Sequence, residues 1–201
     1  VNQDERDRMR GSKYIQSDLQ DTFNYVREDL ESGKQVLFSG TSCQVAGLKG
    51  YLGKAYENLL TVDIVCHGVP SPLVWKKYVE WQEEKNNSKA VSIDFQNKKD
   101  FGWRTHVESI YLENGKQINS DVLKNLFYRH TILRPACYQC PYKDIIHPGD
   151  ITIADYWGIE KAAGGFDDNR GVSLVLINNE NGKKAFDTVR EYVEAVETRI
   201  E

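Results

Sequence analysis

The 201-residue chain has no run approaching the roughly 18 apolar residues that a membrane-spanning helix needs. Its first ten residues, V-N-Q-D-E-R-D-R-M-R, hold no apolar segment of an export signal. Positive charge is not in excess: 26 Lys and Arg against 30 Asp and Glu leave a net charge of -4, which argues against a nucleic-acid partner. Cysteine is scarce, with four residues in the chain, so a disulfide-dense secreted scaffold is excluded. There is no G-x-G-x-x-G fingerprint, no internal repeat and no low-complexity tract. Neither a Ser-His-Asp order nor a nucleophile elbow occurs, which leaves hydrolase chemistry without support. With no export signal the expected location is cytoplasmic, where paired cysteines tend toward metal or redox work.

What is present suffices for a packed core: 40% of the residues are apolar and 28% charged. Residues 1–12 are polar and are expected to be a linker or the end of a missing N-terminal region, since the chain starts on Val1. Residues 13–201 then read as a single α/β domain. Leu19, Phe23, Val26 and Leu30 recur at helical spacing, with Ser17 or Asp18 as the expected cap and Gly33 as the stop. Q-V-L-F at 35–38 predicts a buried strand, and Val45, Ala46, Leu48 and Leu52 a second helix. Between them, Ser39 to Ser42 is expected to form a small polar turn. A strand, a glycine and a helix start can offer backbone N–H groups to an anion, but many such turns bind nothing.

L-L-T-V-D-I-V at 59–65 predicts the next strand, so strand, helix and strand imply a parallel βαβ unit. A long helix is expected after Pro70-Ser71-Pro72, with Trp75, Tyr78 and Trp81 as core positions. Alternation at 91–95 and 107–111, with a turn at Glu113-Asn114-Gly115, reads as an antiparallel hairpin. Phe101 to Arg104 would sit at its tip or hinge. A short helix from Asp121, a strand at 151–154, a glycine-rich loop at 164–171, the strand V-S-L-V-L-I-N and a helix over about 183–196 complete the chain. The fold class is therefore α/β: a mixed, mainly parallel sheet flanked by helices, with a small antiparallel β excursion around residues 90–120.

The chemistry concentrates in the thiols. Cys137 and Cys140, in P-A-C-Y-Q-C-P-Y, have the spacing that lets two thiolates grip one metal or one corner of an iron–sulfur cluster. Cys43 and Cys66 each follow a predicted strand, and strand ends of a parallel sheet share one edge. Two readings stand side by side. Either all four thiols make one site, or Cys43 and Cys66 are small buried hydrophobes and only the C-x-x-C acts, as a redox dithiol or half a zinc site. One local pair and two distant singletons favour a cluster over structural zinc only mildly. His67 adjoins Cys66 as an outer donor, a flavin contact or a satisfied loop residue, whereas His106, His130 and His147 read as structural or exposed. Trp103 and Trp157, beside glycines, are candidates for stacking on a planar ring.

Five ordered motifs carry a resemblance: K-Y-I-Q-S-D-L at 13–19, V-L-F-S-G-T-S-C-Q-V-A-G-L at 36–48, V-D-I-V-C-H-G-V-P-S-P at 62–72, L-R-P-A-C-Y-Q-C-P-Y-K at 133–143 and D-I-T-I-A-D-Y-W-G-I at 150–159. Together they resemble the C-terminal domain of the coenzyme F420 hydrogenase/dehydrogenase beta-subunit family, with Ser42 where many relatives have proline. The resemblance implies an oxidoreductase that carries a [4Fe-4S] cluster on Cys43, Cys66, Cys137 and Cys140. It also implies FAD, for which Lys13, Ser17, Gly40, Thr41, His67 and Gly68 are the matched positions. Reducing equivalents would pass to or from a soluble acceptor such as a deazaflavin. The partners implied are a ferredoxin-like module or other redox subunits. Two alternatives remain: a structural or interaction domain with a zinc or empty thiol site inside a larger redox complex, and a nucleotide-binding transferase built on the Ser39–Ser42 turn.

Overall fold

The two runs that read as buried strands, Val36–Thr41 (β1) and Leu59–Ile64 (β2), pair in parallel in the computed structural model of the chain, which describes residues 2–5, 11–103, 105–168 and 170–199. Much of the expected linker at 1–12, together with Arg104 and Asn169, lies outside the described residues. By contacts the chain divides into two compact units, one made of 18–67 and 140–201 and the other of 1–17 and 68–139.

In the first unit, Ile151–Asp155 (β6) adds to β2 in parallel and Ser173–Ile177 (β7) runs antiparallel along β6, giving the strand order β1-β2-β6-β7. The helices Thr22–Glu31 and Ser42–Leu52 put Val26, Leu30, Val45 and Leu48 against Phe38 and Leu59 of β1 and β2. Burial of such a side chain is worth roughly 1.5–3 kcal/mol, and Val45 and Leu48 are 0% exposed. The first helix begins later than its apolar spacing suggests. Gln20 takes φ 40°, so regular turns start only after Asp21, while Leu19 still packs on the core.

The expected polar turn at 39–42 does not form. β1 continues to Thr41, whose partner is Ile64, and the next helix starts at Ser42. Thr41 caps that helix reciprocally with Gln44, which makes a separate turn unnecessary. The final helix is Glu180–Val189 rather than 183–196, because the Asn179 side chain accepts from the Gly182 N–H and sets an earlier start.

The second unit holds an antiparallel sheet of Ala90–Asp94 (β3), Glu108–Leu112 (β4) and Gln117–Ser120 (β5). Gly115, at φ 81°, makes the β4–β5 turn possible. Helices Pro72–Asn86 and Val122–Tyr128 contribute Tyr78, Leu123 and Phe127 to a core with Ile110, Leu112 and Ile132. Trp75 packs here as expected, but Trp81 is 45% exposed under the Lys85 ammonium. The buried stripe runs on from Tyr78 to Gln82, four residues along, and Gln82 Nε2 donates to Tyr78 Oη.

Glu108 is buried in this core, where Tyr78 Oη donates to its carboxylate. Burial pushes the Glu108 carboxyl above the ordinary carboxylate range, against the hydrogen bonds from Tyr78, Ser120 and the Leu123 N–H. Burial and this same neighbour push the Tyr78 phenol upward, so Tyr78 stays the donor. A carboxyl with a raised folded pKa holds its proton more tightly folded than unfolded. Its contribution is complete below the ordinary value and fades as pH rises through the folded one. Glu108→Gln, which cannot ionise, is expected to flatten the fall in urea midpoint as pH rises above the ordinary glutamate value of about 4.3. An unchanged pH slope would refute this assignment.

Candidate functional site

The first unit brings the carboxyl ends of β1 and β2 to one edge of its sheet, with Thr41 opposite Ile64. Cys43 and Cys66 each follow two residues after that pair, so both leave the sheet from the same edge, as the strand order implied. Cys43 sits in the first turn of the Ser42–Leu52 helix, exposed, with its Sγ 3.1 Å from Thr41 Oγ1. Cys66 is exposed in the segment after β2, and Cys140, partly buried, opens the segment that leads to β6.

Beneath this edge lies a buried polar network that the sequence reading missed. Asp63 of β2, 0% exposed, accepts from Thr152 Oγ1 at 2.5 Å and from the Gly149 N–H at 3.3 Å. His147 Nδ1 lies 3.2 Å from Asp63 Oδ2 and 3.1 Å from Ser42 Oγ. Asp150 accepts from the Thr61 N–H and Thr61 Oγ1, each at 2.7 Å, and from Asn179 Nδ2 at 2.8 Å, with Lys49 Nζ 3.6 Å away. Burial acts to raise the Asp150 carboxyl. The bonds from Asn179 and Thr61 and the Lys49 charge outweigh it and hold the group below the ordinary range. The signal was present in the sequence: Thr61 and Asp63 alternate with apolar residues in one strand, and Asp150, just before another, is followed at the same period by Thr152 within it. In a strand packed on both faces, polar residues at period two must find partners inside.

Ser42, His147 and Asp63 do not make a hydrolytic triad. One nitrogen, Nδ1, faces both the hydroxyl and the carboxylate, whereas a triad needs the two ring nitrogens to serve one each.

Of the positions matched to FAD, Gly40 lies in β1 with Gln44 packed over it, and a Cβ there would come 2.9 Å from Gln44 Oε1. The Thr41 N–H and hydroxyl both donate to that oxygen, at 2.9 and 3.1 Å. His67 is exposed.

In the second unit Cys137 is partly buried in the short helix Pro135–Tyr138, and Gly68 lies against it. A Cβ on Gly68, at φ 126°, would meet Leu133 at 3.1 Å and Cys137 Cβ at 3.4 Å. The 69–71 segment accordingly runs beside 132–134, with Arg134 N–H donating to the Val69 carbonyl and Ser71 N–H to the Ile132 carbonyl. Gly68 follows Cys66 by two residues in the chain. Lys13 and Ser17 are exposed in this unit, and Lys13 Nζ reaches the Gly11 carbonyl at 3.5 Å. His106 stacks on Tyr14 with ring centres 5.2 Å apart, and burial and the Lys124 charge hold its pKa below the ordinary histidine value. Trp103 lies under the Lys98 ammonium at 4.1 Å, and Trp157 of the first unit is 60% exposed.

None of the four cysteines forms a disulfide and none is fully buried, so in kind and in access they fit a group held by soft thiolate donors. Among the described residues no three His, Cys, Asp or Glu side chains form a group that could hold a metal ion. Among the described residues no helix is long and apolar enough to cross a membrane.

A family model for the C terminus of the coenzyme F420 hydrogenase/dehydrogenase beta subunit matches residues 33–200. No curated protein matches the chain.

Proposed function

The chain belongs to the coenzyme F420 hydrogenase/dehydrogenase beta-subunit family through its C-terminal region, and from that premise we propose that it is an electron-transfer domain using a [4Fe-4S] cluster and FAD. The family gives it a redox role beside other subunits of an oxidoreductase complex. The proposed ligands of the cluster are Cys43, Cys66, Cys137 and Cys140. The proposed flavin contacts are Lys13, Ser17, Gly40, Thr41, His67 and Gly68. A cluster and a flavin together supply the change between single electrons and a hydride, passed here to or from a soluble acceptor such as a deazaflavin.

One observation carries the reading. Cys43 and Cys66 leave one sheet edge together, and the glycine two residues past Cys66 packs on Cys137. The chain's own residues supply soft donors, an ammonium at Lys13 able to meet a phosphate, and an apolar core against β1 and β2 that holds the sheet edge in place.

Iron, acid-labile sulfide and flavin content of anaerobically prepared protein test the reading. About four irons and four sulfides per chain, with a broad visible absorption shoulder, are expected. Stoichiometric zinc without iron would replace this reading by a structural zinc domain.

A further inference from the structure

We propose that His147, Asp63 and Ser42 are positioning residues for the thiol ligands, clamping the segment after Cys140 onto the strand ends that precede Cys43 and Cys66. The inference rests on the cluster reading above. Its basis is that three ligand-bearing segments meet at one buried set of side chains. Ser42 immediately precedes Cys43, and its Oγ lies 3.3 Å from the Ile64 carbonyl, two residues before Cys66. His147 follows Cys140 in the segment that returns to β6 and touches both Ser42 and Asp63.

One proton arrangement accounts for all three contacts. Nδ1–H of His147 donates to the Asp63 carboxylate, with Ser42 Oγ beside it, and the Ser42 hydroxyl donates its own proton to the Ile64 carbonyl. The remaining capacity of Asp63 is filled by Thr152 Oγ1 and the Gly149 N–H.

The clamp is built for close approach. A Cβ at Gly149 would come 2.9 Å from both Cγ and Oδ1 of Asp63, so any side chain there would force the returning segment off the sheet. Lys49 Nζ donates to the Pro148 carbonyl at 2.6 Å and holds the same segment from the helix side. An enclosed carboxylate with a histidine beside it is a poor way to gain stability, because apolar residues of equal volume commonly do as well or better. Its usefulness lies in direction: hydrogen bonds fix which strand end faces which segment, where apolar packing tolerates sliding. Groups behind the ligands commonly govern how firmly a metal centre is held, with losses of roughly 10–100-fold when they are removed.

The test uses the full chain loaded anaerobically with iron and sulfide. His147→Ala is expected to release iron to a chelator about tenfold faster or more and to alter the electron paramagnetic resonance spectrum of the reduced cluster. His147→Asn, whose amide Nδ2 takes the place of Nδ1 and donates to Asp63, is expected to stay within about twofold of the native rate with the native spectrum. Leu30→Ala, in the apolar cluster under β1, serves as the control for destabilisation alone: it lowers the unfolding temperature and leaves the spectrum unchanged. If His147→Ala does not fold, Ser42→Ala removes only a hydroxyl and is expected to change the same spectrum. Native release and a native spectrum in the readable alanine variant overturn the clamp while leaving the cluster reading intact. A native chain that takes up no iron overturns both.

Discussion

Replacing Cys137 and Cys140 together by serine is expected to lower the iron content from about four per chain to less than about one, and to remove the visible absorption with it. The reason is chemical before it is structural. A serine hydroxyl keeps its proton at neutral pH and is a hard donor, whereas iron–sulfur clusters are held by soft thiolates. Two remaining thiols cannot complete the coordination of four irons. Neither cysteine is fully buried, so exchange of sulfur for oxygen should leave the fold in place, which far-ultraviolet circular dichroism can establish alongside the iron assay. Iron at the native level in the folded double variant would sink the cluster reading. Activity that survived the exchange would instead favour a transferase using the end of β1.

The second large effect is on stability. Gly182→Ala puts a methyl group 2.1 Å from the Asp150 carbonyl oxygen and 2.8 Å from its carbon, at the place where the Glu180–Val189 helix crosses the start of β6. Backbone atoms cannot rotate aside as a side-chain tip can, so the helix must move. That displaces Asn179, whose amide donates to Asp150, and Asn181, whose amide donates to the Leu59 carbonyl. Overpacking of this kind costs about 1–3 kcal/mol and occasionally more, and the two dependent hydrogen bonds put Gly182→Ala at the upper end, about 3 kcal/mol or beyond. Gly50→Ala is the contrasting case. It lies within the Ser42–Leu52 helix with nothing inside 4 Å of an added methyl, and alanine there should add about 0.5–1 kcal/mol through helix propensity. Urea midpoints moving in opposite directions for the two variants would bear out the account. A Gly182→Ala midpoint equal to the native one would refute the close approach.

Much of the architecture was legible in the residues. The apolar runs at 36–38 and 59–65 are strands, the P-S-P start and its following pattern are a helix, and the alternation near 90–120 is an antiparallel sheet. Each of these rests on a period or a punctuating residue that acts over a few positions. Where the reading slipped, a local alternative of similar cost decided the matter. The Ser39–Ser42 stretch is polar enough for a turn, yet pairing of Gly40 with Asp63 and Thr41 with Ile64 keeps it in the sheet. Trp81 has a core residue's chemistry, but the helical period turns it outward and brings Gln82 in. The network of Asp63, His147 and Asp150 was visible only as polar residues in otherwise apolar strands, because its partners, such as Thr61 and Asp150 or Asp63 and His147, lie far apart in the chain.

Residue type and spacing were enough to establish the family, the mixed α/β class and the presence of four cysteines, two of them in a C-x-x-C. Folding in three dimensions was needed to divide the chain into two units and to set Cys43 and Cys66 just past a matched pair of strand ends. It also chose which polar side chains meet underneath them. Strand register and long-range hydrogen bonding depend on how distant segments pack together, and no short-range preference of any one residue encodes that choice.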